Sequence, residues 1–205
     1  MALKKIIKPL LAAREGAVMV EFSLIVGLLL TVTCGMVDFS LALYQWNAAS
    51  KAVELGTRLA AVSDPVSSNI ATLSPTAAFN IVCNGATSSC SGGTYVATAM
   101  KTLVYGRNKT ACDYTVAQGQ MAAMCDIFSS ITPNNVKVTY QQSAYAASGL
   151  GFAGRKAGPV PTITVEVTGM TFNFFFLNQL LGLAPMSMPS MRSTITGEDL
   201  SISGS

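Results

Sequence analysis

The chain has no histidine, and its 205 residues include only 13 Lys+Arg and 10 Asp+Glu, so 11% is charged. Without imidazole the usual general base, the Ser-His-Asp arrangement and most catalytic zinc sites are excluded. No Cys-x-x-Cys pair is present either, which leaves no recognisable metal-ligand pattern. An enzyme built from these residues would need a carboxylate pair or a Ser-Lys arrangement, and no spacing singles one out. We therefore expect no catalytic residue, no cofactor, no metal and no small-molecule substrate. The low charge beside a 50% apolar content argues against a disordered tail and against a protein that coats nucleic acid. The formal net charge is +3, and Lys4, Lys5, Lys8, Arg14 and Glu15 together account for it. Everything positive in the balance is N-terminal.

What the sequence does have is one long apolar run. Phe22 to Val37 carries no charge, and beyond Asp38 the run continues through Phe39, Leu41 and Leu43 to Tyr44. That is enough to cross a hydrocarbon core of about 30 Å at about 1.5 Å per residue. Four basic residues precede it and only Lys51 and Arg58 follow closely, so the basic-residue bias holds the N-terminus in the cytoplasm and exports the remainder. Tyr44 and Trp46, the single tryptophan, stand where an aromatic interface belt would lie. Helical character persists through Ala48, Ala49, Ala52, Val53, Leu55, Leu59 and Ala60, with Glu54 and Arg58 at i,i+4 spacing, until Asp64-Pro65 ends it. The spacing predicts one helix of about 45 residues, first in lipid and then on a soluble domain. A cleavable secretory signal and an ordinary uncleaved anchor are the plainer readings, but Glu21 and Asp38 do not belong in a short signal core.

The boundary between basic leader and apolar helix reads Arg14-Glu15-Gly16-Ala17-Val18-Met19-Val20-Glu21-Phe22. A Gly, four small or apolar residues and then Glu resembles the prepilin-peptidase site of type IV pilins and pseudopilins. With Gly35-Met36-Val37-Asp38-Phe39-Ser40, Leu43-Tyr44, Asn47-Ala48-Ala49 and Gly56-Thr57-Arg58-Leu59-Ala60-Ala61-Val62, the stretch resembles the TadE-like pseudopilin family over positions 14 to 62. The resemblance implies a minor pilin or pseudopilin of a tight-adherence (Flp) pilus, in the bacterial inner membrane. Its expected partners are that membrane, a prepilin peptidase and the other pilins of the same machine. It also implies roles for residues: Gly16 and Ala17 at the cleavage point, Glu21 and Phe22 in processing and assembly. The expected organisation is leader 1–16, membrane helix 17–44, exported helix 45–63 and exported domain 64–205. An uncleaved single-span accessory protein of a pilus or secretion machine is the alternative.

Glu21 has two readings in physical terms. An unpaired charge in hydrocarbon costs roughly 2 to 3 kcal/mol or more, which calls for a counter-charge such as the amine that cleavage before Ala17 would create on a neighbouring subunit. Otherwise the side chain snorkels to the headgroups. Asp38 is read either as a contact between subunits or as an interfacial residue.

Beyond Pro65 the composition turns to Ser, Thr, Asn, Ala and Gly. Ser74-Pro75 reads as the start of a short helix through Phe79, Ile81 and Val82. A second helix over Val96 to Val104 closes at Gly106. Val136–Tyr140, Ile163–Thr168 and Met191–Thr196 alternate as strands, predicting a three- or four-stranded antiparallel sheet on the long helix, an α+β pilin-like fold. Phe172 to Leu183 is the densest apolar patch outside the membrane helix and reads as core, with a membrane-proximal or subunit surface as the other option. Cys34 lies in the apolar run. Cys83, Cys90, Cys112 and Cys125 form an even set suited to an oxidising compartment, and short local loops favour pairing Cys83 with Cys90 and Cys112 with Cys125 over the other connectivities.

Overall fold

The structure is a computed structural model that describes residues 14–113, 122–143, 159–197 and 200. The basic N-terminal residues up to residue 13, and most of the Gly/Ala-rich stretch between Ser143 and Pro161, lie outside the described residues. The fold is α+β: a long apolar N-terminal helix followed by a domain built on a small antiparallel sheet.

Helix α1 runs unbroken over Arg14–Val62, 49 residues, and stops at Ser63-Asp64-Pro65, where the proline ring forbids a further helical turn. The described chain divides into two compact units, one comprising the helix up to Leu43 with Asn173–Pro185, the other Tyr44–Phe172 with the residues from Met186 onward.

In the second unit, α1 contributes Ala49, Ala52, Val53, Leu59, Ala60 and Ala61 to the core, a stripe at helical spacing. The stripe packs with a five-stranded antiparallel sheet of order β2-β1-β3-β4-β7, in which β1 is Phe79–Asn84, β2 Ser89–Cys90, β3 Val136–Gln142, β4 Thr162–Val167 and β7 Met191–Thr196. The alternation in β3 and β4 decides the facing: Val136, Val138 and Tyr140, and Ile163, Val165 and Val167, all turn into the core. Between them Lys137 stands opposite Glu166 and pairs with it at 3.3 Å. Helix α2, Ala97–Tyr105, buries Ala99, Met100, Leu103 and Val104 and ends at Gly106 with φ +96°. Helix α3, Met124–Ile127, is a single turn whose Met124 is fully buried. Trp46 is partly buried on this core, while Tyr44 two residues earlier is exposed.

Two expectations are corrected here. The residues after Ser74-Pro75 form β1, not a helix, because Ser74 to Ala77 close a β-turn with proline at its second position: the Ala77 N–H donates to the Ser74 carbonyl at 3.2 Å. Gln142 at the end of β3 donates to the carbonyls of Pro75 and Ala77, both at 2.8 Å, so the neighbouring strand holds the turn in place. The sheet also has five strands instead of three or four, since the two-residue β2 was too short to show any alternation.

A separate two-stranded ladder pairs β5, Thr171–Phe172, with β6, Met186–Ser187. The segment between them carries helix α4, Phe176–Leu181, and belongs with the first unit.

Candidate functional site: the apolar helix and its buried acid

The first half of α1 is apolar on every side. Met19, Phe22, Leu24, Leu28 and Met36 are all more than 60% exposed, which in water would be a severe hydrophobic cost and in lipid is none. The helix is long and apolar enough to cross a membrane. Its Ser and Thr hydroxyls are turned back onto the helix: Ser23 donates to the Val20 carbonyl, Thr31 to Gly27, Thr33 to Leu29 and Leu30, and Ser40 to Met36. Each is satisfied without solvent.

Gly16, Ala17, Glu21 and Phe22 lie on the first exposed turns of this helix. A methyl group built on Gly16 would meet nothing within 4 Å, so no other part of the described chain packs on that position of the helix. Among the described residues Glu21 has no ion-pair or hydrogen-bond partner. Cys34 is a free thiol, half-buried on the same helix.

Asp38 is the exception to this exposure. Only 3% exposed, its carboxylate accepts three backbone N–H groups from the start of α4: Phe175 at 3.1 Å on one oxygen, Phe176 at 2.9 Å and Leu177 at 2.7 Å on the other. These are the N–H groups that a helix leaves without partners in its first turn, and the Phe174-Phe175-Phe176 run supplies no capping side chain of its own. The acid is delivered from 137 residues away. Hydrogen bonds to a charged group contribute about 1.5–3 kcal/mol each, and a charge at the centre of a membrane helix costs about 2.5–3.5 kcal/mol on insertion scales, so three such bonds offset the burial. Beside Asp38 the bare backbone of Gly35 admits Leu177, whose Cδ2 would lie 3.8 Å from an added Cβ.

Neither reading of Asp38 offered by the sequence anticipated this intramolecular cap. The signal was present in two halves, an acid inside an apolar run with no counter-charge and a short apolar helix with no N-cap, separated by too much chain to be joined by spacing. The expectation that Phe172 to Leu183 is core is likewise corrected. Phe172 is half-buried against the sheet domain, but Phe175, Phe176, Leu180, Leu181 and Leu183 are exposed, because this segment stands with the apolar helix.

The four remaining cysteines form two bonds, Cys83 to Cys90 across the β1–β2 ladder and Cys112 to Cys125. Cys112, Cys125 and Asp126 cluster closely enough to suggest a metal site, but a disulfide has no thiolate to offer.

Residues 16–58 match the TadE-like protein family. The TadE-like segment thus covers the exposed apolar half of α1, Glu21 and Asp38 within it, and the small-residue stripe on the sheet domain as far as Arg58. No curated protein and no solved structure matches the chain. The match falls on the helix that is long and apolar enough to cross a membrane, and the two disulfides lie outside it.

Proposed function

We propose that this protein is a minor pilin or pseudopilin of a tight-adherence pilus, made with a basic leader and cut between Gly16 and Ala17 by a prepilin peptidase. The observation that carries this reading is the TadE-like segment beginning at Gly16, with Glu21 at the head of an otherwise uncharged helix. It sits in the inner membrane with its N-terminus in the cytoplasm, following the basic residues before Phe22. Residues 17–44 then form the membrane helix, 45–63 its exported continuation and 64–205 the exported domain. Glycine before the scissile bond leaves the backbone open to the peptidase. Once Ala17 is the N-terminus, its amine supplies the counter-charge that Glu21 of a neighbouring subunit lacks among the described residues, which makes assembly depend on processing. Phe22 completes the recognition turn.

N-terminal sequencing of protein extracted from membranes tests this directly: the chain should begin at Ala17, and Gly16→Asp should leave it full length. Beginning at Met1, or near Gln45, would overturn the processing. Glu21→Gln separates pilin from anchor, since it should leave insertion intact while abolishing piliation.

The second reading is an uncleaved accessory anchor, and one observation favours it. Asp38 is committed to its own chain, and α4 occupies the helix face beside Gly35 that a neighbouring pilin helix would otherwise use.

A further inference from the structure

We infer that Asn173–Pro185 is a second membrane-contacting element, a short helical loop that dips into the lipid leaflet opposite Glu21 and is held at that depth by Asp38. The inference rests on the reading of α1 as a membrane span and adds a surface, and a partner of stated chemistry, to it.

Depth follows from the helix. Asp38 lies 17 residues beyond Glu21, about 25 Å along the axis at the standard rise, near the far edge of a hydrocarbon core about 30 Å thick. The three hydrogen bonds from Phe175, Phe176 and Leu177 fix the start of α4 at that level. Most of what faces outward there is apolar: Phe175 is 68% exposed, Leu180 57% and Leu181 58%, with Leu183 beside them, and the exposed polar side chains of the segment, Asn173 and Gln179, carry no charge. The sequence agrees, for no charged residue lies between Glu166 and Arg192. Lipid tolerates irregular backbone only where its polar groups are satisfied, and both ends of α4 carry such partners. Asp38 takes the N-terminal donors, and the Gly182 N–H donates to the Asn178 carbonyl at 2.9 Å, with Gly182 in the left-handed conformation. The β5–β6 ladder brings the two ends of the loop together, so the segment leaves the sheet domain and returns to it at one place. An occupant other than lipid would have to reach a surface continuous with a helix that is itself apolar all round.

The test uses the full-length chain reconstituted into phosphatidylcholine vesicles, with Trp46→Phe as background and one tryptophan placed at a time. Leu29→Trp reports the span, and Leu181→Trp and Phe175→Trp report the loop. With vesicles brominated in turn near the headgroups and near the acyl-chain ends, Leu29→Trp should be quenched by the deep bromines, and the loop tryptophans by the shallow ones to within about twofold of that signal, as expected for side chains about 5–10 Å below the interface, and shielded from aqueous acrylamide. Quenching of both loop variants by acrylamide but not by bromolipid, with Leu29→Trp lipid-quenched, would place the loop in water and overturn the inference alone. Protection from both quenchers would mean a protein cover such as a second copy, and would overturn it too. A Leu29→Trp signal indifferent to bromolipid would remove the span, and the loop inference with it.

Discussion

The Val66 N–H donates to the phenolic oxygen of Tyr140 at 3.0 Å, joining the segment that follows the long helix to the middle of the sheet. Tyr140 is fully buried, and desolvation pushes its phenol well above the ordinary value of 10.0, although the Val66 hydrogen bond works the other way.

A raised folded-state value for an acid that is neutral when protonated means stability is complete below the unfolded value near 10. It is lost as pH rises from there towards the folded value, at up to about 1.4 kcal/mol per pH unit. Tyr140→Phe should remove this alkaline slope while costing about 1–3 kcal/mol at neutral pH for the unpaired Val66 N–H. Urea denaturation at several pH values from neutral to strongly alkaline measures both; an unchanged alkaline slope would assign it to other tyrosines, of which Tyr95 is also raised by burial.

Gly56 lies where the thioether of Met124 meets the long helix. A Cβ built there would come within 2.5 Å of the Met124 sulfur and 2.9 Å of its Cγ. Gly56→Leu should therefore displace the α3 turn and destabilise the sheet domain by about 1–3 kcal/mol, the usual cost of overpacking. Gly56→Leu with Met124→Ala should recover much of the loss, and thermal unfolding of the two variants decides whether the clash is the cause.

Under non-reducing conditions, alkylation followed by mass spectrometry should label Cys34 and spare Cys83, Cys90, Cys112 and Cys125. Removing either bond by a double alanine replacement should lower stability by about 2.5–3 kcal/mol in the chain-entropy model. The sequence separations of 7 and 13 make the second loss slightly larger.

Asp38→Asn keeps the shape of the cap but leaves one acceptor oxygen for three N–H groups. Amide exchange at Phe175, Phe176 and Leu177 should speed up about tenfold or more, the equivalent of losing one hydrogen bond to a charged group at about 1.5–3 kcal/mol. Membrane insertion of α1 should persist, since removing a charge lowers the transfer cost. Unchanged exchange at all three amides would show that packing, and not the carboxylate, holds α4.

Much of this architecture was readable because period and environment agree. The alternation of Val136, Val138 and Tyr140 has one buried side and announces a strand, and the helix closing at Gly106 shows its own stop residue. Misreadings occurred where a local signal was shared by two structures. Ser74-Pro75 starts helices and turns equally well, and only the distant Gln142 side chain decides between them. The Phe172 to Leu183 patch reads as core from its sequence because apolar content says that a surface avoids water, not what covers it. The pairing of Asp38 with α4 is a tertiary fact that no window of sequence contains.

Because Ser23, Thr31, Thr33 and Ser40 all donate to their own helix, a parallel neighbour laid along the apolar stretch would find no free hydroxyl proton to lock onto. Two such helices could slide past one another by a turn, about 5.4 Å, and exchange one set of greasy contacts for an equivalent one. With Asp38 already occupied, chains assembled as proposed would have their longitudinal stagger set by Glu21, the one acid left on the apolar stretch, an index mark on an otherwise featureless rod.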